Sequence, residues 1–443
     1  MSIHDLRSFV ALAREAGEML EIRHSVDPVR ELGAVLRACE RADKAAFFHS
    51  VKGHAVPVVG GLLSSPRRIA LALGCTVAEV GGRMAAATAQ PVPPEAVSEA
   101  APSQERIITA PDLGRWPIPT HSPLDPAPFI TAGVVIARDP ETGRHNLSYN
   151  RMQIHGPDLT GISMNIWRHI KGFFDRLEAQ GRNLPFCVAI GPDPALMMAA
   201  AFRYDGDEYE IAGSLRGAAV PVVRARTCDV MVPAFAEIIL EGEVLAGERR
   251  TEGPMAEFTG HYSPADSKHV ARIRTITHRS DPIFQTMNGG GYEHVSLGNM
   301  ITREPLLARF IRHITPRLKA VHLPPYAAGF TAIVSLDRPE PGEARNVAIA
   351  AMAAHVNIKT VIVVDADVDV YDPADVMWAL GTRMRWDEGV VRIPGAHGNE
   401  LDPTSDEHGV QCKAILDATR PPGAVKEHVK VVYPPVDLAK YLS

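Results

Sequence analysis

Two glutamates in one short segment are the residues of this sequence best suited to acid and base chemistry. The segment reads Glu252-Gly-Pro-Met-Ala-Glu257, and its Gly and Pro disfavour a regular helix between the two carboxyl groups. Two carboxyl groups held in a turn are suited to donate and accept protons during a reaction. The segment therefore predicts an acid/base site.

An arginine and an asparagine upstream extend this prediction to a composite site. The guanidinium of Arg151 is suited to bind a carboxylate through two parallel hydrogen bonds, although an exposed arginine of a hairpin would have the same sequence context. An odd number of positions separates Asn146 from Arg151, and side chains alternate between the two faces of a strand, so on a regular strand the two residues would point to opposite faces. We therefore expect either a bulge between them or contacts with different parts of a ligand.

Three side chains form a candidate metal site. Asn146, His169 and Glu208 offer an amide oxygen, an imidazole and a carboxylate, a mixed set suited to Mn²⁺ or Mg²⁺ that holds a phosphate. Each of these residue types, taken singly, more often has a structural role. Glu210 is an alternative to Glu208 as the carboxylate ligand, because spacing alone does not distinguish the two. Lys413 is a further candidate for contacting a phosphate, against the default of an exposed surface lysine.

The composition predicts a globular protein that binds a small molecule. The chain has 443 residues, 46% of them hydrophobic, and a net charge of −6. It contains no block of Lys and Arg, which argues against nucleic acid and an anionic membrane as partners. No segment reaches the roughly 18 apolar residues of a membrane span, and the scattered cysteines form no CxxC pair, so the cytoplasm is the expected compartment.

The pattern of elements predicts three domains and a connecting helix. Residues 1–105 alternate helical and strand patterns, which is typical of an α/β domain. Residues 106–300 are rich in strands, and residues 301–321 carry apolar side chains at helical spacing, with a kink expected at Pro316. Residues 322–443 alternate strands and helices, which predicts a second α/β domain with a parallel sheet.

Individual elements are predicted from the same periodicities. The predicted helices cover residues 5–16, 28–42, 66–73, 161–177, 194–201, 344–355 and 373–384. The predicted strands cover residues 45–48, 56–59, 186–190, 220–226, 236–244, 282–286, 330–336 and 360–364. Residues 130–138 and 145–154 are predicted to form a hairpin around the turn 139–143.

Several ordered blocks make the chain resemble the UbiD family of reversible decarboxylases, which use prenylated FMN. The first hundred residues contain none of these blocks and resemble the family only in their general sequence pattern. The blocks lie in the middle and last thirds of the chain: Asn146-x4-Arg151, His169, Asp207-Glu-Tyr-Glu-Ile-Ala-Gly, Pro233-Ala-x2-Glu-Ile-x-Leu-Glu-Gly, Glu252-Gly-Pro-x2-Glu257, Val363-Val-Asp-x-Asp-Val-Asp, Val376-x-Trp-Ala-Leu-x-Thr-Arg383, Leu401-Asp-Pro and Lys413-Ala-Ile-Leu-Asp-Ala-Thr419.

The resemblance implies roles for the candidate residues. The catalytic set would be Arg151, Glu252 and Glu257. The residues that bind the cofactor would be Asn146, Arg151, His169, Glu208 and Lys413, of which Asn146, His169 and Glu208 would hold Mn²⁺ or Mg²⁺, with K⁺ as a further candidate cation.

The resemblance also implies an architecture and partners. It implies an N-terminal α/β domain, a central split β-barrel that binds the flavin, a long linker helix and a C-terminal α/β domain that makes a homodimer. A flavin prenyltransferase would supply the cofactor.

The implied reaction explains why these residue types are needed. Loss of CO₂ from an sp² carbon would leave an unstabilised anion, and no side chain can accept those electrons, so an organic electron sink is required. Arg151 would orient the substrate carboxylate and hold Glu252 in an ion pair. Glu257, with a raised pKa in a partly apolar site, would deliver the proton that replaces CO₂.

The substrate is predicted only as a class, an aromatic or heteroaromatic acid. Tyr292, His294 and Arg303 supply cationic and hydrogen-bonding groups beyond those that one carboxylate needs, although Arg303 would also suit the exposed start of a helix. We therefore expect a second acidic group, with decarboxylation of furan-2,5-dicarboxylate to 2-furoate as the leading hypothesis, and pyrrole or phenolic acids as open alternatives.

Two other classes of function are compatible with the same residues. A metal-dependent hydrolase would use Asn146, His169 and Glu208 with the carboxylate pair around an activated water. A flavin carrier without catalysis is the third class, and the presence of Arg151, Glu252 and Glu257 disfavours it.

Overall fold

The computed structural model describes residues 3–97, 101–165, 168–420, 429–431, 433 and 436. The chain forms two compact units. One comprises Met1–Leu306, Leu323–Phe330 and Asn399–Ser405, and the other comprises Leu307–His322, Thr331–Gly398 and Asp406–Ser443. The predicted domain boundaries at residues 105, 300 and 321 differ from this division and stay a prediction.

The first unit begins with a capped amphipathic helix, as the sequence predicts. Ser8 N donates to Oδ1 of Asp5 at 2.9 Å, which satisfies a backbone donor at the start of the helix Leu6–Glu15. Burial of its apolar face attaches this helix to the core through Leu6, Phe9, Val10 and Ala13.

Of the other helices described in the first unit, three precede the central strands in the chain and three lie between them. Pro66–Leu73 has the predicted limits, since Ser65 caps its start and Gly74 ends it in a left-handed conformation that glycine adopts without strain. The helices described here are Glu31–Arg41, Pro66–Leu73, Val77–Ala89, His169–Glu178, Pro194–Ala199 and Glu208–Arg216.

The central sheet of the first unit is built around two long strands. Ile238–Glu252 and Asp266–His278 pair antiparallel. This sheet lies where the sequence predicts a split β-barrel, and within the described residues its main path does not close, since its two end strands do not pair. The strand order is Leu159–Ile162, Asp266–His278, Ile238–Glu252, Leu184–Ile190, Val134–Arg138 and His145–Tyr149, with Arg106–Ile108 also paired to Asp266–His278.

The predicted hairpin is confirmed, and it ends earlier than expected. Val134–Arg138 pairs antiparallel with His145–Tyr149. The chain then leaves the strand before it forms the short strand Met152–Gln153, which pairs with Phe129–Ile130. Arg151 therefore lies in a break between two strands.

Smaller sheets complete the first unit within the part of the chain that is described. The strands Met19–Ile22, Ala45–Phe48, Val58–Gly60 and Phe284–Gln285 form one sheet in that order. A second sheet has the order Met231–Pro233, Pro221–Arg224 and Glu95–Ala96, and Met255–Ala256 pairs with Tyr262–Ser263.

Two predicted helices are wrong in part. Residues 161–177 begin in the strand Leu159–Ile162, because Gly161 pairs with the long strand Asp266–His278, and the helix covers only His169–Glu178. The predicted linker helix 301–321 ends at Arg312.

Proline and strand pairing explain why the linker helix ends early. Pro316 has no N–H to donate and disfavours helical geometry at the residue before it. The apolar residues that followed the helical spacing form the strand Leu318–His322, which pairs with Thr331–Leu336. The helix is instead longer at its start, where Tyr292–Val295 and the π-helical Ser296–Met300 precede Ile301–Arg312.

The second unit is an α/β unit around one mixed sheet. Thr331–Leu336 and Thr360–Asp365 pair parallel, as the alternation of strand and helix predicts. The helices Glu343–Ala354 and Pro373–Thr382 follow these two strands. Within the described residues the strand order is Leu318–His322, Thr331–Leu336, Thr360–Asp365, Val410–Ala418 and Val390–His397.

No single helix in the described ranges has the length and apolar composition needed to cross a membrane. Among the described residues one pair of helices, Pro66–Leu73 and Val77–Ala89, meets those criteria when taken together, and the two are bent by 61° relative to each other.

Candidate active site

Arg151 joins the two glutamates of the acid/base segment. Its Nε donates to Oε1 of Glu252 at 2.8 Å, and its Nη1 donates to Oε1 of Glu257. The side chain of Glu252 is fully buried, and those of Arg151 and Glu257 are 16% and 18% exposed. One cation from a distant part of the chain thus holds both carboxylates of the segment.

Backbone contacts fix the segment that carries the two glutamates. Glu252 is the last residue of the strand Ile238–Glu252, and Gly253 N donates to Oε1 of Gln153 at 2.8 Å. Glu257 N then donates to the carbonyl of His261 at 2.8 Å. Gln153 belongs to the short strand that follows Arg151, so the same few residues position both sides of the ion-pair cluster.

The electrostatics of this cluster depend on burial. Burial raises the pKa of Glu252, and the neighbouring Arg151 guanidinium lowers it only in part. Burial alone would lower the pKa of Arg151, but the charges of Glu257 and Glu252 outweigh it and raise that pKa overall. Arg151 therefore stays charged.

A cavity of about 200 Å³ lies beside the cluster. Arg151 and Glu257 line it, and so do the apolar side chains of Met255, Met287 and Leu297. A cavity with apolar walls and a few convergent polar groups is typical of small-molecule sites.

His294 also lines this cavity, and its hydrogen bond indicates its tautomer. Gly290 N donates to Nδ1 of His294 at 3.2 Å, so the proton of a neutral ring is on Nε2. Burial lowers the pKa of His294, and the charge of Arg151 lowers it further against the opposing effect of Glu257. The ring is therefore suited to donate a hydrogen bond.

A second cationic group of the cavity was missed from the sequence. Arg168 lines the cavity, and it contributes to the lowered pKa of Arg303, which burial brings to about 10. Burial likewise lowers the pKa of Arg168, and the charge of Glu208 opposes this shift. The only signal in the sequence was its position next to His169.

The structure brings two of the three predicted metal ligands together. Asn146 Nδ2 donates to Oε1 of Glu208 at 2.9 Å, and Leu147 N donates to Oε2 at 2.8 Å. Burial raises the pKa of Glu208 to about 8. His169 begins the helix His169–Glu178, and its Nε2 lies 3.5 Å from Oδ1 of the exposed Asp205.

The oxygens of Asn146 and Glu208 are suited to a hard cation, but these two residues alone do not complete a metal site. The described residues contain no group of three His, Cys, Asp or Glu side chains placed to hold a metal. A carboxylate and an amide oxygen are ligands that Mn²⁺ and Mg²⁺ accept. A cation beside Glu208 would also offset the cost of burying its charge.

Lys413 lies in the second unit, on the strand Val410–Ala418. Its Nζ donates to the carbonyl of Val356 at 2.9 Å, and burial lowers its pKa. Its predicted contact with a phosphate stays a prediction.

Comparison with known families defines the class of protein. The model described as 3-octaprenyl-4-hydroxybenzoate carboxy-lyase Rift-related domain matches residues 95–292. The N-terminal and C-terminal domains of the same carboxy-lyase match residues 10–88 and 297–418. The protein is thus a carboxy-lyase. The chain belongs to the UbiD family, and it is a decarboxylase.

Curated relatives act on different acids. Anhydromevalonate phosphate decarboxylase of Methanothermobacter thermautotrophicus is 33% identical over 94% of this chain and 97% of its own length. Phenolic acid decarboxylase of Bacillus subtilis is 33% identical over 95% of this chain and 93% of its own.

Solved structures share the whole fold. The UbiD-class enzyme HmfF from Pelotomaculum thermopropionicum in complex with FMN is 37% identical, with a TM-score of 0.92, over 99% of this chain and 100% of its own. An evolved dimeric form of HmfF, in complex with prFMN, is 36% identical over 99% and 100% of the two chains, with a TM-score of 0.88. An apo 3,4-dihydroxybenzoic acid decarboxylase from Enterobacter cloacae is 31% identical, with a TM-score of 0.93, over 100% of this chain and 99% of its own.

Proposed function

We propose that this protein decarboxylates a heteroaromatic dicarboxylic acid reversibly and without oxidation, with furan-2,5-dicarboxylate as substrate and 2-furoate as product. The observation that carries this proposal is the presence of two cationic groups in one cavity. Arg151 is already paired with Glu252 and Glu257, whereas Arg168, close to the charge of Arg303, adds positive charge elsewhere in the lining.

The cofactor of the proposed reaction is prenylated FMN, which supplies an electron sink for the pair of electrons released with CO₂. FMN and prFMN in the solved forms of HmfF support this assignment. The donor pair of Asn146 and Glu208 is suited to hold the phosphate of such a flavin through a cation.

In this proposal Arg151 binds the carboxylate that leaves. Its guanidinium is held by Glu252, so the side chain cannot turn away, and positioning of this kind lowers the entropic part of the barrier. Each decarboxylation consumes one proton, because the C–CO₂⁻ bond is replaced by a C–H bond. Glu257, which is partly exposed and lines the cavity, is the proton donor.

The other carboxylate of the substrate is bound at the second cationic group. Arg168 and Arg303 provide the positive charge. Neutral His294, on which the charges of Glu257 and Arg151 act, provides a further hydrogen bond to the substrate from its Nε2–H. A carboxylate there would stabilise two partly desolvated guanidinium groups, so this proposal expects dicarboxylates to be turned over in preference to monoacids.

The cation is proposed to be Mn²⁺ or Mg²⁺, held by Asn146, His169 and Glu208, with K⁺ as a second candidate. Lys413 is proposed to contact the phosphate. We further propose a homodimer, with a flavin prenyltransferase as the supplier of the cofactor.

A phosphorylated unsaturated acid is the second candidate substrate. Guanidinium groups bind phosphate as well as carboxylate, and a curated relative is named anhydromevalonate phosphate decarboxylase. Phenolic and pyrrole acids are further candidates, and they would present a single carboxylate to Arg151.

Identification of the bound small molecule tests the proposal that the cofactor is prenylated FMN. Protein made with and without a flavin prenyltransferase is examined by absorbance and by mass spectrometry after denaturation. We expect prenylated FMN in the first sample and unmodified FMN in the second. A metal with no flavin in both samples would contradict the proposal and favour a hydrolase.

A further inference from the structure

One carboxylate oxygen of Glu252 has a partner and the other has none. Oε1 accepts from Arg151 Nε at 2.8 Å, whereas Oε2 is buried without a hydrogen bond. Nε2 of His155 is likewise buried without a hydrogen bond. A buried polar atom without a partner costs free energy, so two such atoms close together call for a common explanation.

The two atoms face the same glycine. A Cβ atom placed on Gly161 would lie 2.8 Å from Oε2 of Glu252 and 3.1 Å from Nε2 of His155. Because Gly161 has no side chain, the space between these two polar atoms is not filled by a methyl group. One water molecule in the space beside Gly161, in reach of both atoms, would accept from His155 and donate to Glu252.

The backbone holds His155 in this orientation. His155 N donates to the carbonyl of Leu159 at 2.9 Å, and Ile154 forms a bridge with Thr160. The residue as a whole is partly exposed while its Nε2 is buried, so the ring extends from the surface towards the carboxyl group.

We propose that His155 is a positioning residue for Glu252, and that its Nε2–H satisfies Oε2 directly or through one water molecule beside Gly161. This inference rests on the proposed role of the Arg151 cluster. The hydrogen bond stabilises the ionised form of Glu252 and keeps Oε1 directed at Arg151, which in turn holds the substrate carboxylate.

Other charged groups also act on the two residues. Those that face Glu252 are Arg151, Lys268, Glu257 and its strand partner Asp266. Burial lowers the pKa of His155 and the charge of Arg250 lowers it further, so the ring is neutral near pH 7 and donates through one nitrogen only. All of these groups are unchanged in the variants below.

Two substitutions of His155 separate hydrogen bonding from packing. His155→Gln places an amide nitrogen near the position of Nε2 and keeps a donor, whereas His155→Leu keeps bulk without a donor. The acid limb of kcat/KM against pH should move up by about one pH unit in His155→Leu, since a hydrogen bond to a charged group has roughly that effect on a pKa. His155→Gln should restore the position of the limb.

Two glycine variants form a matched pair. Gly161→Ala inserts a methyl group between the two polar atoms and should shift the limb in the same direction as His155→Leu. Gly156→Ala is the control, because its Cβ would meet only Cβ of Leu159, at 3.9 Å. It should leave the profile unchanged.

A readout without substrate distinguishes this inference from the proposed function. The titration of Glu252 is followed by infrared spectroscopy, as the carboxyl band that is lost in Glu252→Gln. We expect the band to titrate at a higher pH in His155→Leu than in the wild type, whether or not any acid is decarboxylated. The same titration in His155→Leu and in the wild type, or a His155→Gln protein that behaves as His155→Leu does, would overturn the inference.

Discussion

Arg168 acts electrostatically on Arg303, although Arg168 immediately precedes the helix His169–Glu178 and Arg303 lies in the helix Ile301–Arg312. Burial is the larger cause of the lowered pKa of Arg303, about 10, and the positive charge of Arg168 adds to it. Two partly desolvated guanidinium groups repel each other, so an anion between or beside them is stabilising. This relationship is the main reason to expect a substrate with a second acidic group.

Replacing Arg303 should change substrate selectivity more than overall activity. We expect Arg303→Ala to lower kcat/KM for furan-2,5-dicarboxylate by about 10- to 100-fold, the effect of losing one charged hydrogen bond, with a smaller effect on monoacids. Competition assays with mixed acids measure the ratio directly. Arg309→Ala removes an exposed charge from the same helix and is the control. Unchanged selectivity in Arg303→Ala would remove the proposed second carboxylate.

Loss of the carboxyl group of Glu257 should stop turnover and leave the cofactor bound. Glu257→Gln keeps the shape of the side chain and a hydrogen-bond acceptor for Arg151, but it cannot deliver a proton. CO₂ release is measured together with the flavin absorbance of the purified variant. Glu248→Gln, at an exposed position of the strand Ile238–Glu252, is the matched control. Full activity of Glu257→Gln would refute its assignment as the proton donor.

The cation site is tested by comparing two neighbouring glutamates. Glu208→Gln should lower the retained Mn²⁺ by at least about tenfold, because it removes the negative ligand whose burial a cation would offset. Glu210→Gln, two residues away and less buried, should retain the metal. Elemental analysis of dialysed protein gives both values. Equal metal content in the two variants would contradict the choice of Glu208.

Stability should depend on pH through a buried glutamate outside the ion-pair cluster. Glu293 accepts hydrogen bonds from Gly61 N and Leu63 N, each at 2.8 Å, and burial raises its pKa from 4.5 to about 7. The folded protein therefore binds more protons than the unfolded chain between these values. The free energy of unfolding should fall as pH rises through this window, by up to about 3 kcal/mol.

Glu293→Gln should reduce this pH dependence, and the part that comes from Glu208, whose pKa burial raises to about 8, should remain. Urea titrations at several pH values between about 4.5 and 7 give the slope of the free energy of unfolding against pH. The slopes of variant and wild type are compared, and not their absolute stabilities, because the amide of Gln accepts through one atom only and is itself destabilising. Glu248→Gln should keep the slope of the wild type. An unchanged slope in Glu293→Gln would mean that Glu293 does not titrate in this range.

The sequence predicted elements well where local signals and tertiary pairing agree. The helix Pro66–Leu73 has both a capping serine and a terminating glycine, and the hairpin of Val134–Arg138 and His145–Tyr149 has alternating strands around a turn. Leu318–His322 was predicted as helix because its apolar spacing continued that of Ile301–Arg312. Pairing with Thr331–Leu336 decides its conformation, and this pairing is not visible in the local sequence.

The candidate site was predictable only in part. The acid/base pair is recognisable in one short segment, but its attachment to Arg151 depends on strands that are about a hundred residues apart in sequence. The parity argument for Asn146 and Arg151 assumed a regular strand, whereas the strand ends at Tyr149. Arg168 was missed because an arginine gives no signal of the cavity that it lines until the chain is folded.

The most direct test of the proposed reaction is the release of CO₂ from furan-2,5-dicarboxylate. Protein made with a flavin prenyltransferase is assayed beside protein made without it, with a panel of phenolic, pyrrole and phosphorylated acids in parallel. We predict stoichiometric CO₂ and 2-furoate only from the sample made with the prenyltransferase. Equal activity of the two samples, or no CO₂ from the dicarboxylate when another acid of the panel is turned over, would contradict the account.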